Sequence, residues 1–277
     1  MLLRCARPAD ADIYSSVKET AMLLAIDIGN TNIVLGGIEG EKTLFTERLS
    51  TDTGKTDLEY ALLFDTALRI HSVDPASVSG AIIGSVVPPI NSVIQAALQK
   101  VCSVQALIVG PGIRTGLNIR MEDPASVGAD LIAGAVGALA SYEPPLIVID
   151  MGTATTLCVV DAQRSFIGGI IMPGIRVSLE SLVSEASMLQ GISLKMPRRV
   201  IGSNTVDAMR SGIMLGSASM LDGLIDRVFE ELGTKPAIIA TGGWSSRVVP
   251  ACRHEIILDD NLLLNGLRLI WERNRRS

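Results

Sequence analysis

Ala25-Ile26-Asp27-Ile28-Gly29-Asn30-Thr31-Asn32, near the start of the chain, is restated at its middle as Val148-Ile149-Asp150-Met151-Gly152-Thr153-Ala154-Thr155. Each copy is an apolar run rich in β-branched residues, an aspartate, then a glycine with threonine close behind. That pattern reads as a buried strand entering a tight turn that offers backbone N–H groups and hydroxyls, which is how phosphate is held. The two aspartates stand 123 positions apart. This is too far for a solenoid repeat and suits two similar domains facing each other across a cleft.

Composition supports that division. A chain of 277 residues, 48% hydrophobic, can fill two cores of ordinary domain size. They are expected at 22–143 and 144–277, behind an extension at 1–21 that lacks an apolar pattern and is expected to fray. The formal charge of −5, with four Phe, three Tyr and two Trp, leaves no basic face or stacking platform and argues against nucleic acid as a partner. Mean hydropathy is +0.39, yet the uncharged run 75–99 is interrupted by Pro88-Pro89 and carries Asn91 and Gln95. It is expected to form a strand and a helix, not a membrane span. Cys5, Cys102, Cys158 and Cys252 show no C-x-x-C spacing, and His71 and His254 are the only histidines. No soft-metal cluster is expected, and reduced thiols fit a cytoplasmic setting.

Working outward from the first motif, strands are expected at 23–27, 33–38 and 43–49. Their tight turns dictate an antiparallel meander, because parallel crossovers need many more residues. A helix at 57–70, with Leu58, Ala61, Leu62 and Leu68 at helical spacing, precedes a strand at 81–87, a helix at 90–101 and a strand at 106–109. A helix at 129–141 stops before Pro144-Pro145. The second motif opens another meander at 146–150, 156–161 and 165–172, followed by helices after Pro173-Gly174 and after Asn204-Thr205. In the latter, Met209, Ile213, Met220, Leu224 and Val228 mark one face. A strand at 237–240 runs into Thr241-Gly242-Gly243, and a helix at 262–273 is expected to close the second domain.

Three features carry candidate chemistry. In Asp27 to Val34, Gly29 permits the turn while Asn30, Thr31 and Asn32 can ring an anionic oxygen. Asp27 cannot meet phosphate directly, so its candidate role is to hold Mg²⁺, directly or through water. Gly242-Gly243 either ends a strand or lets the backbone approach an adenine or ribose. Asp130, in Gly128-Ala129-Asp130, complements a helix dipole or acts as a base on an attacking alcohol.

Together with Gly168 to Gly174 (Gly-Gly-Ile-Ile-Met-Pro-Gly), Ile201 to Thr205 (Ile-Gly-Ser-Asn-Thr) and Thr241-Gly242-Gly243, these segments resemble the ordered motifs of type III pantothenate kinases, over about 22–271. The resemblance implies an α/β protein of two ribonuclease-H-like domains (βββαβαβα) in the actin-like ATPase fold, with ATP in the cleft between them. It implies ATP-dependent phosphorylation of pantothenate, the first step toward coenzyme A, by a homodimer that uses Mg²⁺ with ATP and potassium or ammonium. By the same resemblance, Asp27, Ile28, Gly29, Asn30, Thr31, Asn32, Ile33 and Val34 hold ATP phosphates, as Gly242 and Gly243 hold the nucleotide. Thr153 contacts ATP, Asp150 ligates the monovalent cation and Asp130 accepts the proton. Gly128, Ala129, Asp130, Leu131 and Thr205 meet pantothenate.

Two positions depart from the family pattern: Leu131 stands where Arg is usual, and Met121 where Tyr is common. Both fall on the acceptor side, so Arg120, Arg176 and Arg210 are candidate partners for the acceptor carboxylate. Beside pantothenate phosphorylation, the residues leave open a kinase for another small alcohol and a non-catalytic nucleotide-binding regulator.

Overall fold

Strand β1 (Met22–Ile28) turns into β2 (Asn32–Glu39), which turns at Gly40, φ +58°, into β3 (Lys42–Ser50). All belong to a computed structural model that describes residues 22–275; the extension at 1–21 lies outside the described residues. Helix α1 (Asp57–Ile70) starts from a capping box in which Thr56 and Glu59 satisfy each other's backbone N–H. It leads to β4 (Val78–Ser85), α2 (Asn91–Cys102) and β5 (Ala106–Ile108). The first sheet has the order β3-β2-β1-β4-β5, with β4 and β5 parallel to β1 as helical crossovers require.

After β6 (Asn118–Ile119) and α3 (Ala129–Ser141), the plan repeats in β7 (Leu146–Met151), β8 (Ala154–Val160) and β9 (Ser165–Pro173). Next come α4 (Ile175–Glu185), α5 (Thr205–Arg210), α6 (Gly216–Leu232), β10 (Ala237–Thr241), α7 (Ser245–Val248), β11 (Ile257–Leu258) and α8 (Leu262–Arg275). The second sheet runs β11-β10-β7-β8-β9-β6. Without β6 it has the connectivity of the first, so the doubled motif is the visible part of a doubled ribonuclease-H-like fold.

Five layers result. Tyr60, Phe64 and Leu68 of α1 and Ile94 and Leu98 of α2 pack against Leu24, Ile26 and Ile28 on one face of the first sheet. On its other face lie α3 and α8, which bring Ile132, Val136, Leu264 and Leu267 against Leu23, Ala25 and Ile82. Ala135 and Ala138, on the opposite side of α3, meet Leu146, Val148 and Cys158 of the second sheet. The outer face of that sheet is covered by Ile213, Met214, Leu221 and Ile225. Helix α3 is thus a shared wedge, and its run of Ala and Gly is what allows sheets and α8 to approach from all sides.

The structure corrects several local expectations. Helix α8 packs on α3, β1 and β4 instead of closing the second half. In α1 the buried residues are Tyr60, Ala61, Phe64, Ala67 and Leu68, while Leu58 and Leu62 face solvent. The helix after Thr205 is interrupted by a π-helical stretch at Ser211–Leu215. Its extra residue per turn turns Met220 toward solvent and brings Ala218, Leu221 and Ile225 into the buried stripe, with Val228 buried and Leu224 half-buried against the same core. Strand β4 runs from Val78 to Ser85, earlier than the 81–87 expected.

Candidate active site

Both motif aspartates are penultimate residues of central strands, and the strand register puts each at the middle of a matching row. In the first sheet Asp27 is flanked by Val34 and Gly84, with Arg48 beyond Val34. In the second, Asp150 is flanked by Thr156 and Thr241, with Ile171 beyond Thr156. Alternation turns Leu24, Ile26 and Ile28 into the α1/α2 core and leaves Asp27 on the face toward the second sheet. Ile28 and Ile33 are fully buried, so only their backbone is available to a ligand.

The turns that follow the aspartates meet across the cleft, with Thr31 Oγ1 and Thr153 Oγ1 2.8 Å apart. The first turn is braced from β3: Thr51 Oγ1 donates to the Gly29 carbonyl at 2.6 Å, and the Thr51 N–H donates to the Thr31 carbonyl at 3.0 Å. The N–H groups of Asn30 and Thr31, and of Gly152 and Thr153, make no hydrogen bond among the described residues. They form two facing sets of unspent donors, which is what an anion needs. At the end of β10, Gly242 adopts φ +94°. A Cβ there would stand 2.4 Å from Asp150 Oδ1 and 2.6 Å from the Met151 nitrogen, so only glycine fits this turn.

Asp130 reaches the same place from α3. Its first-turn position is held by the Leu131 N–H, which donates to Asp130 Oδ1 at 2.8 Å. Asp130, Leu131, Asp150, Thr156, Cys158 and Thr241 line part of a crevice with about 10 Å³ of free space, room for one water or one ion. Burial, then the charges of Asp150 and Asp130, push the Asp27 carboxyl up to about 8, with Arg48 opposing. Burial and Asp130 push Asp150 up to about 7. Asp130 is raised, chiefly by burial. Three acids thus share a site short of positive charge. No three acidic, imidazole or thiol ligands converge on one point among the described residues. The oxygen donors Asp150, Thr156 and Thr241 suit a hard cation, whereas Asp27 could hold Mg²⁺ only as one ligand among phosphate and water oxygens.

A type III pantothenate kinase family model matches residues 23–227. The chain belongs to the type III pantothenate kinase family. It is 46% identical over 256 residues to the type III pantothenate kinase of Brevibacillus brevis, covering 92% of this chain and 100% of that protein. It is 43% identical over 255 residues to that of an Exiguobacterium species, with 92% and 100% covered. Among solved structures, a Baf-family protein of Campylobacter jejuni superposes with a TM-score of 0.57 at 18% identity, over 92% of this chain and 100% of that one. Component A of the Acidaminococcus fermentans (R)-2-hydroxyglutaryl-CoA dehydratase gives 0.53 at 16%, over 90% and 95%. These two likenesses concern the fold alone. The chain is a kinase of the actin-like ATPase fold.

The structure gathers Asp27, Thr31, Asp130, Asp150, Thr153 and Gly242 at one cleft. Thr205 lies apart from the crevice lining, exposed at the first turn of α5 behind the Asn204 cap. Leu131 lines the crevice and packs on the apolar cluster of Leu146, Val148 and Phe166. Arg120 is removed from the site: its N–H donates to the Phe166 carbonyl, level with Leu146 at the end of the sheet opposite Asp150. Arg176 and Arg210 are paired with Glu180 and Asp207 at 2.7 and 3.2 Å. Thr156, Thr241 and Arg48 were missed as site residues. Their signal was positional, since each lies in register with a motif aspartate on a neighbouring strand, and such pairing is invisible in one sequence.

Proposed function

We propose that this chain transfers the γ-phosphoryl group of ATP to the primary alcohol of pantothenate, and that Asp130 accepts the alcohol proton as the new P–O bond forms and ADP leaves. The observation that carries this is the meeting of two donor-rich turns, at Thr31 and Thr153, the second of them following the Asp150 that lines a crevice with Asp130. The turns at Asn30-Thr31 and Gly152-Thr153 part to take the terminal phosphates between them, each hydroxyl exchanging its partner across the cleft for a phosphate oxygen. Gly242-Gly243 lies under the nucleoside. Helix α3, locked between both sheets, holds the Asp130 carboxylate at a fixed angle to the incoming alcohol.

Asp27 is the residue that would hold Mg²⁺ arriving with ATP, and Asp150 with Thr156 and Thr241 would hold potassium or ammonium. When bound, these cations neutralise phosphate charge and lower the cost of ionising the buried carboxylates. Gly128, Ala129 and Leu131 form the acceptor side. Thr205 joins that side through a second copy of the chain: Met188, Val200 and Ile201 are strongly exposed on the segment leading to α5, and a homodimer would cover them. No helix among the described residues is long and apolar enough to cross a membrane.

The test is ADP formation from ATP with Mg²⁺ and potassium, with and without pantothenate, and identification of the product by mass. Pantothenate-dependent ADP release with a phosphorylated acceptor is expected. ATP turnover indifferent to pantothenate would move the acceptor to another alcohol or to water, and nucleotide binding without turnover would leave a regulator.

A further inference from the structure

Arg48 is a basic residue at this cleft that no motif included. It lies on β3, the outer strand of the first sheet, in register with Val34 and through it with Asp27. With strands about 4.8 Å apart, its backbone is roughly 10 Å from that of Asp27, and an extended arginine covers most of that distance. The corresponding place on the second sheet is Ile171, which is 75% exposed, so only one wall of the cleft carries the cation. Arg48 is exposed and makes no hydrogen bond or ion pair among the described residues. On the far side its guanidinium comes up against the turn after β10, where a Cβ on Gly243 would stand 2.9 Å from Arg48 Nη1.

The side chain therefore leaves the first sheet beside the motif assigned to the terminal phosphates and ends against the turn assigned to the nucleoside. Resting on the reading of this cleft as an ATP site, we propose that Arg48 is a nucleotide-binding residue that grips the polyphosphate chain of ATP and ADP from the first sheet. A planar fork with five donors suits adjacent phosphate oxygens better than a point charge does. An exposed, unpaired arginine loses little on redirecting its donors, and the opposing Gly243 leaves it space. The bland alternative is that Arg48 only offsets the charge of Asp27 and Asp150, and nucleotide series separate the two. Offsetting alone would change the binding of every nucleotide alike, whereas a grip on phosphates scales with their number.

The experiment measures binding of AMP, ADP and ATP, with Mg²⁺, to the full chain by calorimetry, for wild type, Arg48→Gln and Arg48→Lys. Loss of charged hydrogen bonds is expected to weaken ADP and ATP by about 10- to 100-fold in Arg48→Gln and to leave AMP within about threefold. Arg48→Lys should restore part of the loss. Equal weakening of all three nucleotides, or wild-type ATP affinity in Arg48→Gln, would overturn the proposal while leaving the kinase reading intact. Absence of ATP binding to the wild type would instead overturn the kinase reading, and the proposal with it.

Discussion

Among the described residues no cation hydrogen-bonds to Asp130: the backbone N–H groups of Leu131 and of Asp130 itself steady its carboxyl, and burial holds it above the usual range. A carboxylate that is costly to ionise is a better proton acceptor than one in water, which is the property a base needs. Asp130→Asn keeps the shape and the Leu131 contact, so turnover is expected to fall by about 10² to 10⁴ while ATP affinity stays within a few fold. Near-normal turnover at saturating substrates would remove Asp130 from the mechanism. Its neighbour is the position proposed to set the acceptor. Leu131 is only partly buried at the crevice, so an arginine there can lay its stem on the same apolar cluster and carry its charge outward. Leu131→Arg is expected to lower the KM for pantothenate about tenfold or more, as a gained charged hydrogen bond implies, without moving the KM for ATP. Steady-state kinetics varying each substrate in turn would show it, and equal shifts in both constants would disprove a specific role. The aspartates and the doubled turns were legible from sequence because each turn spells its own geometry within eight residues. The threonine and arginine neighbours were not, because β pairing assembles them from positions up to 91 apart, as Asp150 and Thr241 are.

Helices α3 and α8 position that chemistry, and they touch through backbone. A Cβ on Gly266 would lie 1.9 Å from the Ala133 carbonyl oxygen, and one on Gly137 would lie 2.2 Å from that of Leu262. Gly266→Ala must push the helices apart, at a cost of about 1 to 3 kcal/mol that outweighs the roughly 1 kcal/mol gained from helix propensity. Since α3 carries Asp130, the same variant is expected to lose kcat. Gly223→Ala, in α6 with nothing within 4 Å of the added atom, is the control: it should raise the melting temperature and leave kcat alone. Calorimetric melting and kcat for the pair check both statements, and a Gly266→Ala protein as stable and active as wild type would show that the contact is not limiting. The existence and order of these helices followed from apolar periodicity and from breakers such as Pro144-Pro145. Which sheet α8 would join did not. Its stripe could face either sheet, and the first sheet takes it because Gly36, Gly80 and Gly84 leave room there for Leu264, Trp271 and Leu267. The π-helical stretch at 211–215 was hidden for a related reason: a period of 3.6 describes the residues on each side of it but not their relative phase.

Over the whole molecule, the site is a store of unneutralised acid between two sheets, and folding is linked to protons through it. Asp27 and Asp150 titrate near 8 and 7 in the folded chain, against about 4 when unfolded. Between about pH 4 and pH 8 the native state therefore binds more protons than the unfolded state. Stability from these groups is complete below their unfolded values and is lost as pH rises through the folded ones. The ligand-free protein is accordingly expected to melt at progressively lower temperature from pH 5 to pH 8.5. Asp27→Asn, which cannot ionise, should flatten that slope and melt above the wild type at pH 8. Cations that bind only the ionised carboxylates compete with the protons, so potassium with Mg²⁺ and ATP should stabilise the wild type more at pH 8 than at pH 5.5. Scanning calorimetry of both proteins across this range, with and without the ligands, reads all three effects. A wild-type melting temperature that rises with pH, or a slope unchanged by Asp27→Asn, would mean that the acids are neutralised by something other than protons, and that the cleft does not wait for a cation-bearing nucleotide to supply its missing charge.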